Sequence, residues 1–260
     1  MQKVAIVTGG TSGIGLACVG QLRNRGWRVF TLSRRPGDGD HIPCDVSNEA
    51  ACVSAAGRVM QAAGRVDALI NCAGYGISGA AEFTSQSEAA SQIQVNLLGT
   101  ANMCRAVIPH MRAQGRGRIV NVSSVAAVAP IPFQAWYSAS KAAINSYSMA
   151  LHNEVRRFGI SVCAVMPGDT ATGFTDARHK LPMGDEIYGG AIARGVERME
   201  KDERNGASPD AVARVVTRCA MKRHVRPLYA VGVLYRVLAA LAKILPASTA
   251  RWILGLMYGG

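Results

Sequence analysis

Hydrophobic positions in this 260-residue chain follow two alternating rhythms. Short apolar runs without helical period recur at Lys3–Val7, Trp27–Leu32, Val66–Ile70, Arg118–Asn121 and Ile160–Val165. Rich in β-branched residues, such runs predict strands buried on both faces. Between them, apolar residues return every three or four positions. Ile14, Leu16, Ala17, Val19 and Leu22 mark a helix that stops near Gly26, and further helices are expected near 48–63, 88–113 and 137–158. This alternation predicts a doubly wound α/β fold, a parallel sheet with helices on both faces. The length suits a single domain over 1–260 with one core, and no repeat, linker or long charge run interrupts residues 1–175.

The junction between the first strand and the first helix is rich in glycine, Thr8-Gly-Gly-Thr-Ser-Gly-Ile-Gly15. Glycines permit a tight turn and close backbone approach, and a helix N-terminus offers free N–H groups and a positive dipole end to an anion. Strand, turn and helix together form the phosphate-binding opening of a Rossmann-like unit. Gly9, Thr11, Ser12, Gly13, Ile14 and Gly15 are its candidate cofactor-binding residues, although Gly9-x-x-x-Gly13-x-Gly15 differs from the usual G-x-G-x-x-G spacing. An acidic residue at the end of the second strand selects NAD by binding the ribose 2′-hydroxyl, and an arginine there accepts a 2′-phosphate. This chain has Ser33 followed by Arg34 and Arg35, so NADP(H) is expected over NAD(H), with Arg34 the first candidate and Arg35 the next.

Farther along, Tyr137 and Lys141 stand four residues apart in a helical stretch, with Ser124 thirteen residues before Tyr137. Positions i and i+4 project from one helix face. A phenol has an ordinary pKa of about 10. A neighbouring ammonium favours the phenolate, so Lys141 is expected to lower Tyr137 by roughly two to three units and fit it for acid/base work.

These motifs resemble those of the short-chain dehydrogenase/reductase family, in family order over residues 1 to about 175. TGxxxGxG stands at Thr8–Gly15 and NNAG at Asn71–Gly74, with Cys72 replacing the second Asn, at a position that supports a central strand. The helix Asn stands at Asn96, the serine at Ser124, YxxxK at Tyr137 and Lys141, and PG at Pro167-Gly168 with Thr172 following. The resemblance implies that Tyr137 protonates a carbonyl oxygen, Ser124 hydrogen-bonds that oxygen, Lys141 holds the nicotinamide ribose, and Asn96 anchors a proton-relay water. Ser123 is the rival to Ser124, and the spacing to Tyr137 selects Ser124. Asp45 and Val46 are implied beside the adenine, Asn71, Ala73 and Gly74 beside the adenosine ribose, and Pro167, Gly168, Thr170 and Thr172 around the nicotinamide and phosphate. The implied assembly is a homodimer or homotetramer.

Past Thr172 the resemblance thins. Residues 173–206 look like the family's helical substrate lid, with Met183, Ile187, Tyr188, Ile192 and Val196 suited to an apolar ligand. Ser208-Pro209-Asp210 predicts a capped helix start. Residues 227–260 lack the Val-Asp-Gly-Gly end of the acyl-carrier-protein reductases and look more like the hydroxysteroid and retinol dehydrogenase branch. That likeness implies a steroid-like or lipid-like carbonyl or alcohol substrate. A 3-oxoacyl thioester reductase is the alternative enzyme, and a non-catalytic NADP(H)-sensing protein the alternative outside catalysis.

Charge separates the C-terminal part from the rest. Residues 211–260 carry eight Lys or Arg and no Asp or Glu, accounting for eight of the twelve net positive charges. No nucleic-acid reading module accompanies them, so nucleic-acid binding is not expected. Leu234, Val237, Leu238, Leu241, Ile244 and Leu245 form an apolar stripe, and Trp252, Ile253, Leu254, Leu256 and Met257 a second patch. Packing over the substrate pocket or a subunit is the first expectation, and peripheral contact with an anionic membrane the second. Seven scattered cysteines without a C-x-x-C spacing predict free thiols and no metal site, and with no signal peptide ahead of Lys3 a cytoplasmic location is expected.

Overall fold

The computed structural model describes residues 1–258. Seven strands form one parallel sheet: β1 (Val4–Thr8), β2 (Arg28–Ser33), β3 (His41–Pro43), β4 (Ala68–Asn71), β6 (Gly117–Val122), β7 (Ile160–Met166) and β9 (Leu228–Ala230). Their order is β3-β2-β1-β4-β6-β7-β9. Successive side chains of a strand face opposite ways, and β1 shows both faces buried. Val4 and Ile6 join Phe30, Leu69, Met103 and Ile119 beneath α2 (Glu49–Ala63), α4 (Gly99–Ala113) and α5 (Ala135–Val155). Ala5 and Val7 join Val19, Leu22, Val212 and Val216 beneath α1 (Gly13–Arg23) and α7 (Pro209–Met221). The chain leaves β1 toward β2 on one side and β4 lies on the other, so a crevice opens between the carboxyl ends of β1 and β4. Open α/β sheets bind their ligands there.

Each run expected as a strand lies in this sheet. The two edge strands β3 and β9 had no clear signal in the sequence. Each is three residues long, too short to show a period, and pairs along one side only. The helix expected over 88–113 is one rod in three parts. α3 (Gln86–Ile93) opens with a reciprocal Ser85–Glu88 cap, a wide π turn spans Gln94–Leu98, and α4 follows. Ser208 caps α7 through the Ala211 amide, with Pro209 in the first turn, as the sequence predicts.

Residues 173–206 run between β7 and α7. β8 (His179–Lys180) pairs with β5 (Ile77–Ser78), and α6 (Ala191–Arg204) follows. α8 (Val233–Ile244) and α9 (Ala247–Tyr258) are separated at Pro246. Most of the apolar stripe is exposed, at Leu234, Val237, Leu238, Leu241 and Ile244. Contacts inward come from Tyr235, whose ring abuts Gly168, and from Tyr258, which donates to Asp202 at 3.2 Å. The physical reason is polarity, since a tyrosine hydroxyl finds acceptors on the polar wall that a leucine cannot use. No helix among the described residues is long and apolar enough to cross a membrane.

Candidate active site

The glycine turn is held tightly against the end of β4. Thr8 Oγ1 accepts the amides of Cys72 and Ala73, each at 3.1 Å. Gly9 has φ +62°, and a Cβ there would lie 3.1 Å from the Ala73 nitrogen; one on Gly15 would lie 2.2 Å from the Gly9 carbonyl oxygen. Gly13, at φ +51°, faces Thr172, whose Cβ would stand 3.4 Å from a side chain there. The turn therefore forms one wall of a cradle and Thr172 the other. Ser12 precedes α1 with extended backbone and does not cap it, so the first amides of the helix stay available. Ile14 is half-buried and packs on the core.

Thr11, Ser12, Ser33 and Arg35 meet at one corner. Thr11 Oγ1 donates to Ser33 Oγ at 3.2 Å, Ser33 Oγ to the Arg35 carbonyl at 2.6 Å, and Arg35 Nη2 to Ser12 Oγ at 2.9 Å. Arg34 is exposed and lies toward Asp45, whose carboxyl is held below its ordinary range chiefly by Ser47, with Arg34 adding to the effect. Asp45 Oδ1 accepts both the amide and the hydroxyl of Ser47. Val46 is buried against Gly99.

Asn71 turns away from the crevice. Its Nδ2 donates to Asn121 Oδ1 at 2.9 Å, and Asn121 Nδ2 donates to Ser148 Oγ at 2.9 Å, linking β4 through β6 to α5. Asn71 thereby ties the central strands together, next to Cys72, which packs on the core. Ala73 and Gly74 continue the loop, and at Gly74 a Cβ would meet Asn96 Oδ1 at 2.9 Å and Lys141 Nζ at 3.7 Å. A side chain there would press on the Asn96 amide oxygen.

Asn96 sits fully buried in the π turn. It accepts the Tyr75 amide at 3.1 Å and donates to the Tyr75 carbonyl at 3.0 Å and Ser140 Oγ at 3.1 Å, while its own carbonyl accepts the Thr100 hydroxyl at 2.8 Å. Tyr137 and Lys141 lie on one face of α5, with Lys141 Nζ 5.7 Å from the Tyr137 ring centroid and donating to the Val122 carbonyl at 3.0 Å. Ser124 is half-buried and accepts the Ala126 amide, whereas Ser123 is buried and donates to the Lys141 carbonyl. Opposite them, Pro167 accepts the Val125 amide, and Thr170 Oγ1 donates to Gly168.

The family model for short chain dehydrogenases matches residues 3–181. The chain belongs to the short-chain dehydrogenase/reductase family. It is 37% identical to a 3-ketodihydrosphingosine reductase of Bacteroides thetaiotaomicron, over 98% of both chains. It is 37% identical to a 3-oxoacyl-[acyl-carrier-protein] reductase of Bos taurus, over 67% of this chain and 78% of that one. A short-chain dehydrogenase structure from Streptomyces avermitilis superposes with a TM-score of 0.82 at 26% identity, covering 97% and 94% of the two chains. This short-chain dehydrogenase/reductase is therefore an oxidoreductase of the CH–OH/C=O class, from a family that uses nicotinamide cofactors, takes small-molecule substrates and commonly forms oligomers. A dinucleotide fits the residues present: an uncapped helix N-terminus, a glycine cradle that side chains would fill, and the gap at Gly74.

The electrostatics of the candidate site differ from the simple pair expected of Tyr137 and Lys141. Burial pushes the Tyr137 phenol up to about 12, with Ser124 acting the other way. Burial pushes Lys141 down to about 8. The expected Coulombic lowering of Tyr137 is absent because desolvation disfavours both charged forms and Nζ is engaged by Val122.

Several residues of this wall escaped the sequence reading. Phe174 lies 5.7 Å from the Tyr137 ring, and buried Arg178 lies over Phe174 at 5.8 Å. Arg178 pairs with Glu203, which also accepts the Thr175 hydroxyl at 2.7 Å. Asp169 accepts the Tyr235 hydroxyl and, through its amide, donates back to it at 3.1 Å. These contacts join positions far apart in sequence, and no local period marks them.

Proposed function

We propose that this chain is an NADPH-dependent reductase of a ketone on an apolar, lipid-like substrate. The observation that carries the reading is the convergence of Ser124, Tyr137, Lys141 and Asn96, with the phenol kept protonated by burial. A neutral phenol is the form that donates, which favours reduction over alcohol oxidation. NADPH, when bound, supplies the hydride. Tyr137 donates its proton to the carbonyl oxygen, Ser124 hydrogen-bonds the same oxygen as charge builds there, and Lys141 with the Asn96 turn returns the proton across Gly74. Residues 173–206 act as the lid that excludes water. The similarity to the Bacteroides 3-ketodihydrosphingosine reductase across nearly the whole chain supports a long-chain ketone more than a steroid. The Bos taurus relative keeps a 3-oxoacyl thioester as the second substrate reading. A dinucleotide sensor would not need these four side chains together.

Within this proposal, Arg35 with Ser12, Thr11 and Ser33 supports recognition of a 2′-phosphate, and Arg34 takes the adenine side with Asp45. The test is turnover of a long-chain 3-ketone, a ketosteroid and an acetoacetyl thioester with NADPH and with NADH. A long-chain ketone turned over best with NADPH is expected. Arg35→Ala should weaken NADPH roughly 10- to 100-fold, the size of one or more charge-assisted bonds, and leave NADH almost untouched. Equal weakening of both cofactors would remove Arg35 from phosphate recognition.

The exposed stripe of α8 and the acid-free charge of residues 211–260 support peripheral contact with an anionic bilayer. The protein is expected to float with anionic vesicles at low salt and to be released at high salt. Failure to float at low salt would end this part of the reading.

A further inference from the structure

We propose that Tyr235 is a positioning residue: from α8 it fixes the Gly168–Thr172 segment as the second wall of the dinucleotide cradle. The inference rests on the reductase reading above and adds a residue to that same site. Tyr235 lies 66 residues beyond Asp169 and outside the stretch 3–181 that the family model matches. Its hydroxyl donates to the Asp169 carboxyl and accepts the Asp169 amide at 3.1 Å. Its ring covers Gly168, where a Cβ would stand 2.1 Å from the ring carbons. One side chain thus holds the backbone and a side chain of the wall at once. Burial, and then the bond to Asp169, pushes the Tyr235 phenol above its ordinary value, so the hydroxyl keeps the proton it donates.

The opposite edge of the segment is pinned separately. The Ala207 amide donates to the Asp169 carbonyl at 2.9 Å, and the Ala171 amide donates to the Ala207 carbonyl at 3.0 Å. Asp169 therefore has its amide held from α8 and its carbonyl held from the turn before α7. Thr172 follows Ala171 directly and stands against Gly13 of the glycine turn. A cofactor binds more weakly to a wall that is in place only part of the time, in proportion to the fraction lost. A residue that merely fastened α8 could do so with its ring alone. The two bonds to one residue of the cradle wall carry the further role.

The test titrates the full chain with NADPH and with 2′,5′-ADP, which holds the adenosine half of the cofactor and stops short of this wall. Tyr235→Phe keeps the ring and removes both bonds. It should weaken NADPH roughly 3- to 30-fold, the range for one hydrogen bond to a carboxyl group, and leave 2′,5′-ADP within about twofold. Asp169→Ala should weaken NADPH similarly, whereas Asp169→Asn, which keeps an acceptor, should stay within about twofold of wild type. The double variant Tyr235→Phe/Asp169→Ala should be little weaker than either single one, because the two residues act through one contact. Unchanged NADPH affinity in Tyr235→Phe, equal weakening of NADPH and 2′,5′-ADP, or additive effects in the double variant would overturn the assignment. Should Tyr235→Phe not fold, judged by thermal unfolding, the contrast between Asp169→Ala and Asp169→Asn decides alone. If wild type takes NADH instead, the same comparison runs with NADH and AMP. Wild type that binds neither dinucleotide removes the reductase reading as well, whereas an unchanged Tyr235→Phe removes this inference alone.

Discussion

Tyr137→Phe is expected to lower turnover at least about 100-fold while leaving dinucleotide affinity close to wild type. The substitution removes one oxygen and keeps the ring that packs against Phe174 at 5.7 Å. A general acid typically contributes 100- to 10,000-fold, and no neighbouring acid replaces this one on the same helix face. The buried phenol, pushed up to about 12, is protonated throughout the neutral range. Reduction should therefore show no loss of rate from Tyr137 deprotonation below about pH 10, and any basic limb in that range must come from another group. Single-turnover rates and cofactor titration separate the two effects. Retained turnover would remove Tyr137 from the mechanism.

Lys141→Met is expected to abolish useful turnover and, at neutral pH, to make the protein more stable. Lys141 is 6% exposed, and burial lowers its pKa from 10.5 to about 8. Below about pH 8 it is charged in both folded and unfolded chains, so the folded state bears the full desolvation penalty. Between about 8 and 10.5 the unfolded chain holds a proton that the folded one has lost, so stability rises with pH across that window. The shift corresponds to about 3 kcal/mol. Losing the bond to the Val122 carbonyl offsets about 1 kcal/mol of that. The net gain of roughly 2 kcal/mol should raise Tm by about 4–8 °C. The increase should shrink as the pH approaches 10.5, where wild-type Lys141 no longer carries the penalty. A lower Tm at pH 7 would show that Lys141 is not held buried and charged at a cost. Active sites commonly hold such destabilising groups because function requires them.

The chain order of the motifs was enough to place the crevice. Gly9, Gly13 and Gly15 follow the first strand directly, Asn71–Gly74 ends β4, and Ser124 follows β6, so alternating strands and helices bring all three to the carboxyl edge of one sheet. Tyr137 and Lys141 share a helix face because four residues nearly complete one turn. Ser123, the neighbour of Ser124, turns inward to the Lys141 carbonyl.

Other features depend on distances that no local spacing carries. Arg34 and Arg35 are adjacent in sequence, and only the approach of the glycine turn to the end of β2 puts Arg35 against Ser12. Asn71 reads as a crevice residue until β6 brings Asn121 beside it. The π turn at Asn96 lies inside a periodic apolar pattern that predicts an uninterrupted helix. Local order along the chain determined the sheet, the cradle and the candidate acid, because strand burial, glycine turns and helical spacing are short-range properties. Tertiary structure decided the direction of the Tyr137 and Lys141 pKa shifts, the inward contacts of Tyr235 and Tyr258, and the pairing of Arg178 with Glu203. Each of those depends on how much water is excluded and on which distant carboxylates are packed nearby, and both are set only when the chain closes on itself.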